Sequence, residues 1–299
     1  MATSAWQSIF DHTSDVAFRA WGSELSGKLS AVGMIQTADT GQINWSTVVR
    51  AGTTSDAGYE IWRFDDTQQS TAPIYLKLLY GTGATTSAPR LGYQVGSGTN
   101  GAGTINGQNT AVTYAYAGGT PAVVSKNSFI SYSDGFFGLV HKQAGYTSSF
   151  TAAVFIARTV SSTTQTPNAT GASVYMHTSN NNVPNYYQIR FASTASNTLY
   201  STAATWSGCA VPGTAASSLT SSGSRAYMHQ SFTPAISPLI GMCTVNVNDI
   251  PKWTKFTTTL FGSTPRTYVS LGATSSTDGY MIYSEITGSA NYSIAMLWE

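Results

Sequence analysis

Apolar residues recur along this chain at two intervals, and the change of interval marks where its elements lie. Between Asp15 and Val32, the residues Phe18, Trp21, Leu25, Leu29 and Val32 follow one another at steps of three and four, which stacks them on one face of an α-helix. Ser14 can accept the N-cap bond and Gly33 can supply the left-handed C-cap, so the pattern predicts one amphipathic helix over 15–32. Two roles are open to it: a brace packed across a sheet, or a docking helix inserted into a neighbouring subunit.

After the helix the interval shortens to two. Ile43 to Val49, Tyr59 to Phe64, Ile74 to Tyr80 and Leu91 to Val95 read as strands, punctuated by Gly41, Asp56, Gly58, Pro73, Gly81, Pro89 and Gly96. Ile74 to Tyr80 is almost continuously apolar, as a central strand buried on both faces would be, with Lys77 at the edge of that burial or reaching out along its own stem. Asp134-Gly135 joins 128–133 to 136–142, and Asp278-Gly279 precedes Tyr280 to Ile286; both dipeptides suit hairpin turns. Further strands are expected over Ala153 to Arg158, Tyr186 to Phe191, Tyr227 to Ser231, Tyr268 to Leu271 and Tyr292 to Trp298, the last paired inside the fold. Ser161 to Thr170 and Ala203 to Arg225 lack a pattern and read as long surface loops. The Gly-Tyr-x-Ile-aromatic echo between 54–62 and 276–283 reads as two hairpins meeting one turn problem, since nothing else aligns at a fixed period. The expected fold is mainly β: an antiparallel sandwich or jelly-roll-like arrangement in two β domains, 1–120 and 121–299, with one N-terminal helix.

Composition changes the picture in one respect. Charged residues make up 9% of the 299 positions, where a soluble domain carries roughly a quarter. A surface so poor in charge has little like-charge repulsion to keep copies apart, so much of it is expected to be covered by identical neighbours. The 14 Lys+Arg and 13 Asp+Glu give a formal charge of +1 with no basic run, which argues against direct contact with nucleic acid. No stretch approaches the roughly 20 apolar residues of a membrane span, and no secretory leader is recognisable, so synthesis in a cytosol and no membrane insertion are expected. In that setting Cys209 and Cys243 read as small apolar residues rather than a disulfide. His12, His141, His177 and His229 lie too far apart to suggest a metal site.

Gly96-Ser-Gly-Thr-Asn-Gly101 matches the dinucleotide-binding pattern letter for letter. Its context fails, because Ala102 to Gly107 continues as loop instead of opening a helix, and no acid follows until Asp134. The segment reads as a hairpin tip in contact with an adjacent subunit, with Gly96, Gly98, Gly101 and Gly103 as candidate interface positions and no cofactor. For catalysis, Glu60, Asp65, Asp66, Asp134, Asp249 and Glu285 show no spacing that selects a pair, and no Gly-x-Ser-x-Gly elbow occurs. No catalytic residue is assigned and the chain is expected not to be an enzyme. Phe18, Trp21, Leu25, Trp62 and Trp298 are the candidate structural anchors. The 17 tyrosines and seven tryptophans serve either a core and interfaces, or a surface that stacks on sugar rings.

Several stretches carry a resemblance: Ala5-Trp-Gln-Ser-Ile-Phe10, the helix through Leu29, Gln36 to Trp45, Gly58-Tyr-Glu-Ile-Trp-Arg-Phe64, Ala72-Pro-Ile-Tyr-Leu-Lys77 and Tyr80-Gly-Thr-Gly83. Over about its first 110 residues the chain resembles virion structural proteins of tailed bacteriophages, usually encoded among tail or neck genes. The closing Ser289 to Trp298 is similar in style to their C-termini. The resemblance implies a homo-oligomeric, β-rich part of the particle, assembled in the bacterial host cytoplasm as a ring or trimer and attached to other virion proteins, and it brings no catalytic residues with it. Tail, baseplate and neck all remain open as its place. A receptor-binding fibre or spike that contacts host surface glycans is the second expectation, and a capsid decoration protein the third.

Overall fold

A computed structural model of the chain describes residues 2–11, 13–83, 85–86, 89–107, 113–116, 123–143, 151–160, 167–178, 181–190, 199–200, 226–227, 242–246, 254–258, 265–270 and 292–298. In chain order the first elements are β1 (Ala2–Asp11), α1 (Asp15–Ala31), β2 (Ile35–Gln36), β3 (Ser55–Arg63), β4 (Tyr75–Thr82), β5 (Pro89–Gly96), β6 (Gly98–Thr99), β7 (Ile105–Asn106) and β8 (Thr113–Tyr116). There follow β9 (Val123–Ser133), β10 (Phe136–Gln143), β11 (Thr151–Val160), β12 (Pro167–Thr178), β13 (Asn181–Arg190) and β14 (Leu199–Tyr200). The last are β15 (Ala226–Tyr227), β16 (Met242–Asn246), β17 (Lys255–Thr258), β18 (Arg266–Ser270) and β19 (Tyr292–Leu297). The protein is mostly β, its pairings are antiparallel, and its helix lies near the N-terminus.

The strands form a five-stranded sheet β2-β3-β4-β5-β8, a seven-stranded sheet β1-β9-β10-β11-β12-β13-β14, a five-stranded sheet β15-β16-β19-β18-β17, and the small hairpin β6-β7. β9 to β14 run as a meander, each strand beside its sequence neighbour. The central strands of this sheet are buried on both faces. Ile130, Tyr132, Phe137, Leu139, Val154 and Ile156 share one face and join a core with α1 and the inner face of β3, β4 and β5. On the opposite face lie Phe136, Val140 and Phe155, all fully buried. There Gly138 leaves room for Met296 of β19, whose thioether occupies the space a Cβ would need.

α1 follows the predicted pattern closely. Ser14 Oγ accepts from Ala17 N–H at 3.1 Å and caps the start. At the end Gly33, at φ +100, donates to Ser30 C=O and Met34 donates to Leu29 C=O, the double bond of a Schellman turn. Phe18, Trp21, Leu25 and Leu29 point into the core, so the helix is a brace. Trp62 is buried in the same cluster, and Trp298, with Met296 and Leu297, is buried in the C-terminal sheet region.

Two expectations are corrected. Ile43 to Val49 is a turn and not a strand: Asn44 Oδ1 accepts from Ser46 N–H and Oγ, and its C=O accepts from Thr47 and Val48, so local side-chain bonding displaces a ladder. The stretch 161–170 is not all loop, because β12 begins at Pro167. Residues 2–11 form β1 and pair with β9 through ten consecutive positions, Ala2 with Tyr132 to Asp11 with Val123. The first strand thus belongs to the sheet built after residue 120, and one core runs across that expected boundary. The Asp134-Gly135 hairpin forms between β9 and β10. Cys209, Asp278-Gly279, the echo at 276–283 and the stretch 203–225 lie outside the described residues.

One ion pair joins the two sheets. Arg158 of β11 meets Asp66 in two bonds, Nε to Oδ2 at 2.5 Å and Nη2 to Oδ1 at 2.9 Å, with both side chains fully buried. Asp66 lies just beyond β3, so the bond clamps the β3–β4 connection to the seven-stranded sheet. Nearby, Asp65 N–H donates to Tyr132 OH at 2.6 Å, and Thr67 N–H and Oγ1 donate to Asp134. Asp66→Ala leaves a buried guanidinium without its carboxylate and is expected to cost about 3–5 kcal/mol in denaturant unfolding, whereas the Asp66→Ala, Arg158→Met double variant loses less. A loss from Asp66→Ala within about 0.5 kcal/mol of zero, the range of ordinary surface substitutions, would show that the pair does not hold the sheets together.

Candidate interaction site

The strongest surface feature is built on the outer face of β3, β4 and β5. Residues alternate along these strands, so Glu60, Trp62, Leu78 and Tyr80 face inward while Tyr59, Ile61, Lys77 and Gln94 face the other way. Two segments cover that outer face: the 37–43 loop and the glycine-rich β6–β7 hairpin, which is where the structure places the Gly96 to Gly107 segment. The segment forms a hairpin as expected, with Gly98 paired to Asn106 and Thr99 to Ile105.

Asp39 organises the junction. Its Oδ1 accepts from Thr37 Oγ1 at 2.7 Å and from Thr99 Oγ1 at 2.9 Å, and its Oδ2 accepts from Gly103 N–H at 3.2 Å. Burial pushes the Asp39 carboxyl up, but these hydrogen bonds outweigh it and leave the group below the ordinary carboxylate value. Lys77 Nζ donates to Gly103 C=O at 2.6 Å and sits 4.3 Å above the Tyr59 ring, with burial holding its ammonium below the usual lysine value. Tyr59 OH donates to Thr40 C=O at 2.6 Å, and Thr40 N–H donates to Gly101 C=O at 2.9 Å. Gly103 is required here: its φ is +89, and a Cβ would collide with the Tyr59 phenol. Beyond these ties the hairpin tip is open, with Asn100, Gly101 and Ala102 exposed.

Next to the hairpin is a cleft of about 290 Å³ whose walls include Gln36, Thr37, Asp39, Arg63, Tyr75 and Thr99. A guanidinium, a phenol, an amide and two hydroxyls around a small opening can hydrogen-bond a polar ligand and offer one ring face for stacking. A second cleft of about 480 Å³ is bordered by Asp65, Asp66, Thr67, Tyr132 and Asp134. Its chemistry is structural, because Asp66 is held by Arg158 and Asp134 by Thr67. Burial pushes the Tyr132 phenol well up, which keeps it neutral as it accepts from Asp65.

Inside the core, Glu60 forms a polar centre that the sequence left as one unplaced acid among several. It is 1% exposed. Oε1 accepts from Trp45 Nε1 at 2.9 Å, and Oε2 accepts from Tyr80 OH at 2.6 Å and Trp62 Nε1 at 3.3 Å. Phe18, Trp21, Trp45 and Tyr80 pack around this centre, with ring centroids 4.8 to 6.0 Å apart. Trp45 enters through the gap at Gly22, where a Cβ would fall on its six-membered ring.

The candidate residues therefore separate by role. Phe18, Trp21, Leu25 and Trp62 meet in one core, Trp298 stands with the C-terminal sheet beside Lys255 (4.9 Å over its ring), Gly98, Gly101 and Gly103 come together in the hairpin, and Gly96 closes β5 opposite Tyr75. Asp39, Arg63, Lys77 and Tyr75 are the site residues sequence reading missed. The apolar setting of Lys77 was the one available signal. Among the described residues no three His, Cys, Asp or Glu side chains gather to hold a metal ion, and no helix is long and apolar enough to cross a membrane. No family model, curated protein or solved structure matches the chain.

Asp39→Ala removes the acceptor for three donors and should free the hairpin, with faster amide exchange over 99–104 and a stability loss of about 1–3 kcal/mol. A hairpin as protected as in the parent would contradict this account. The pH dependence follows the same group: its lowered folded pKa contributes stability that is present above the ordinary Asp value near 3.9 and is lost as pH falls through the folded value. Protection of the 99–104 amides relative to unstructured chain should therefore fall on acidification below about pH 4 in the parent and not in Asp39→Ala.

Proposed function

We propose that this chain is a structural subunit of a tailed-bacteriophage particle, a tail, baseplate or neck component that assembles from identical copies and joins other virion proteins. The observation that carries the reading is where the few charges go. Asp15 binds Arg50, Asp56 faces Arg90, Arg63 faces Asp65 and Asp66 binds Arg158. Glu60 is enclosed by indoles and a phenol, and Asp39 and Lys77 fasten the hairpin. The Asp15 carboxyl is held below its ordinary value chiefly by the Arg50 backbone N–H and side chain. Among the described residues, many of the remaining exposed positions are Ser, Thr, Asn, Gln and Gly, whose neutral groups put no electrostatic barrier between copies. The resemblance read from the first 110 residues points to the same assignment.

A second reading is favoured by the 290 Å³ cleft: a fibre or spike that binds host surface glycans, using Tyr75 as the stacking face and Arg63 and Gln36 as hydrogen-bond donors. The two readings separate by experiment. Light scattering on the purified chain is expected to show one defined oligomer, and tag labelling of intact particles should place it in the tail, baseplate or neck. A monomer at high micromolar concentration would overturn the subunit reading. Saturable binding of labelled protein to host cells that Arg63→Ala abolishes would establish the glycan reading instead.

A further inference from the structure

Among the described strands, β1 is the longest that closes a sheet. The seven-stranded sheet closes on one side with β14, of two residues. The first five-stranded sheet closes with β2, of two, and β8, of four. The C-terminal sheet closes with β15, of two, and with β17, of four, which opens on Lys255. β1 closes the other side of the seven-stranded sheet and is ten residues long.

Short length, prolines, charges and bulges are the devices that stop an edge from pairing with another chain. β1 uses none of them along its length. Ala-Thr-Ser-Ala-Trp-Gln-Ser-Ile-Phe-Asp contains no proline, its single ionisable residue is the terminal Asp11, and its register with β9 runs without a shift. In an antiparallel ladder successive residues direct their N–H and C=O groups alternately to the two sides. Half of the β1 backbone groups therefore face away from β9, and among the described residues no strand lies beside them. Backbone groups of this kind are strong and directional and pair readily with another strand.

We propose that β1 is the self-association edge: two copies pair β1 with β1 antiparallel about a two-fold axis, so that their seven-stranded sheets become one continuous sheet. The partner is a second copy because the strand carries no charge pattern that would select a foreign one, and because its own antiparallel copy fits it without conflict. Outward-facing residues must stand opposite one another, so the longest overlap centres the axis on Trp6 or on Gln7 and places Ala2 opposite Phe10, or Thr3 opposite Asp11, of the second copy. The two carboxylates then stand at opposite ends of the joint, roughly 30 Å apart at 3.4 Å per residue. An in-register parallel pairing would set Asp11 beside Asp11, which like charge disfavours. The antiparallel contact is isologous and closes on itself. The inference rests on the proposed self-assembling subunit and names the contact through which assembly begins.

Backbone amide exchange over residues 2–11, followed by NMR on the full chain together with its solution mass, tests it. In the paired edge consecutive amides are protected; in a lone edge only the alternate amides bonded to β9 are. An oligomeric mass with alternate protection overturns the β1 joint and leaves the subunit reading standing, whereas a monomeric mass overturns both. The neighbouring variants Ser4→Pro and Ala5→Pro supply an independent check, since one removes an N–H given to β9 and the other an N–H that faces outward. The outward variant is expected to keep the parental near-UV circular dichroism and to raise the dimer dissociation constant at least about tenfold. Two folded variants with parental association refute the proposal, and if neither folds the exchange pattern decides it.

Discussion

The position of the two N-terminal sheets depends on the Asp66–Arg158 pair. Two charges placed in an apolar interior are tolerated only when they meet each other in good geometry, and the two-bond contact leaves little freedom in how β11 and the β3–β4 connection approach. Around it, Tyr132, Asp65, Thr67 and Asp134 form a belt of hydrogen bonds at the rim of the same junction. Phe64 stacks edge-on to Tyr132 at 5.4 Å, so the apolar core begins where the polar belt ends. Large apolar faces can slide over one another at small cost. A buried ion pair cannot, and it selects one arrangement.

The same logic recurs at two smaller scales. Glu60 draws Trp45, Trp62 and Tyr80 to fixed positions inside the first sheet, and burial together with the Glu60 charge pushes the Tyr80 phenol far up, so it remains a donor. Asp39 does for the β6–β7 hairpin what Glu60 does for the core. In each case one carboxylate orders several donors, which is how a chain so sparing of charge obtains specific geometry from its few acids. Ionised groups become internal fasteners, and the exterior is left to neutral polar residues.

The local parts of this design were readable in the sequence. α1, with its Ser14 and Gly33 caps, and the Asp134-Gly135 hairpin are encoded within a few residues of where they form. The glycine pattern at 96–101 was separable from a nucleotide fingerprint because no helix follows it. What escaped was nonlocal or competitive. Nothing near Asp66 reveals Arg158, and β1 has no clean alternation because its small residues are ordered by β9, far along the chain. Ile43 to Val49 has the composition of a strand, yet Asn44 bends it back and Trp45 is drawn toward Glu60. Nothing next to Asp39 in the sequence marks the two donors, Thr99 and Gly103, that the hairpin adds to that of Thr37.

The pairing of β1 with β9 also imposes an order of events during synthesis. Residues 2–11 are made before Val123 to Ser133 and find no β9 partner until that segment has emerged, so the nascent chain carries an unmatched segment over more than a hundred residues of synthesis. Loop closure over so long a span is slow, and a waiting apolar segment invites capture by the wrong chain. The earlier-made strand is thus safest where nascent chains are dilute, until its later-made neighbour arrives.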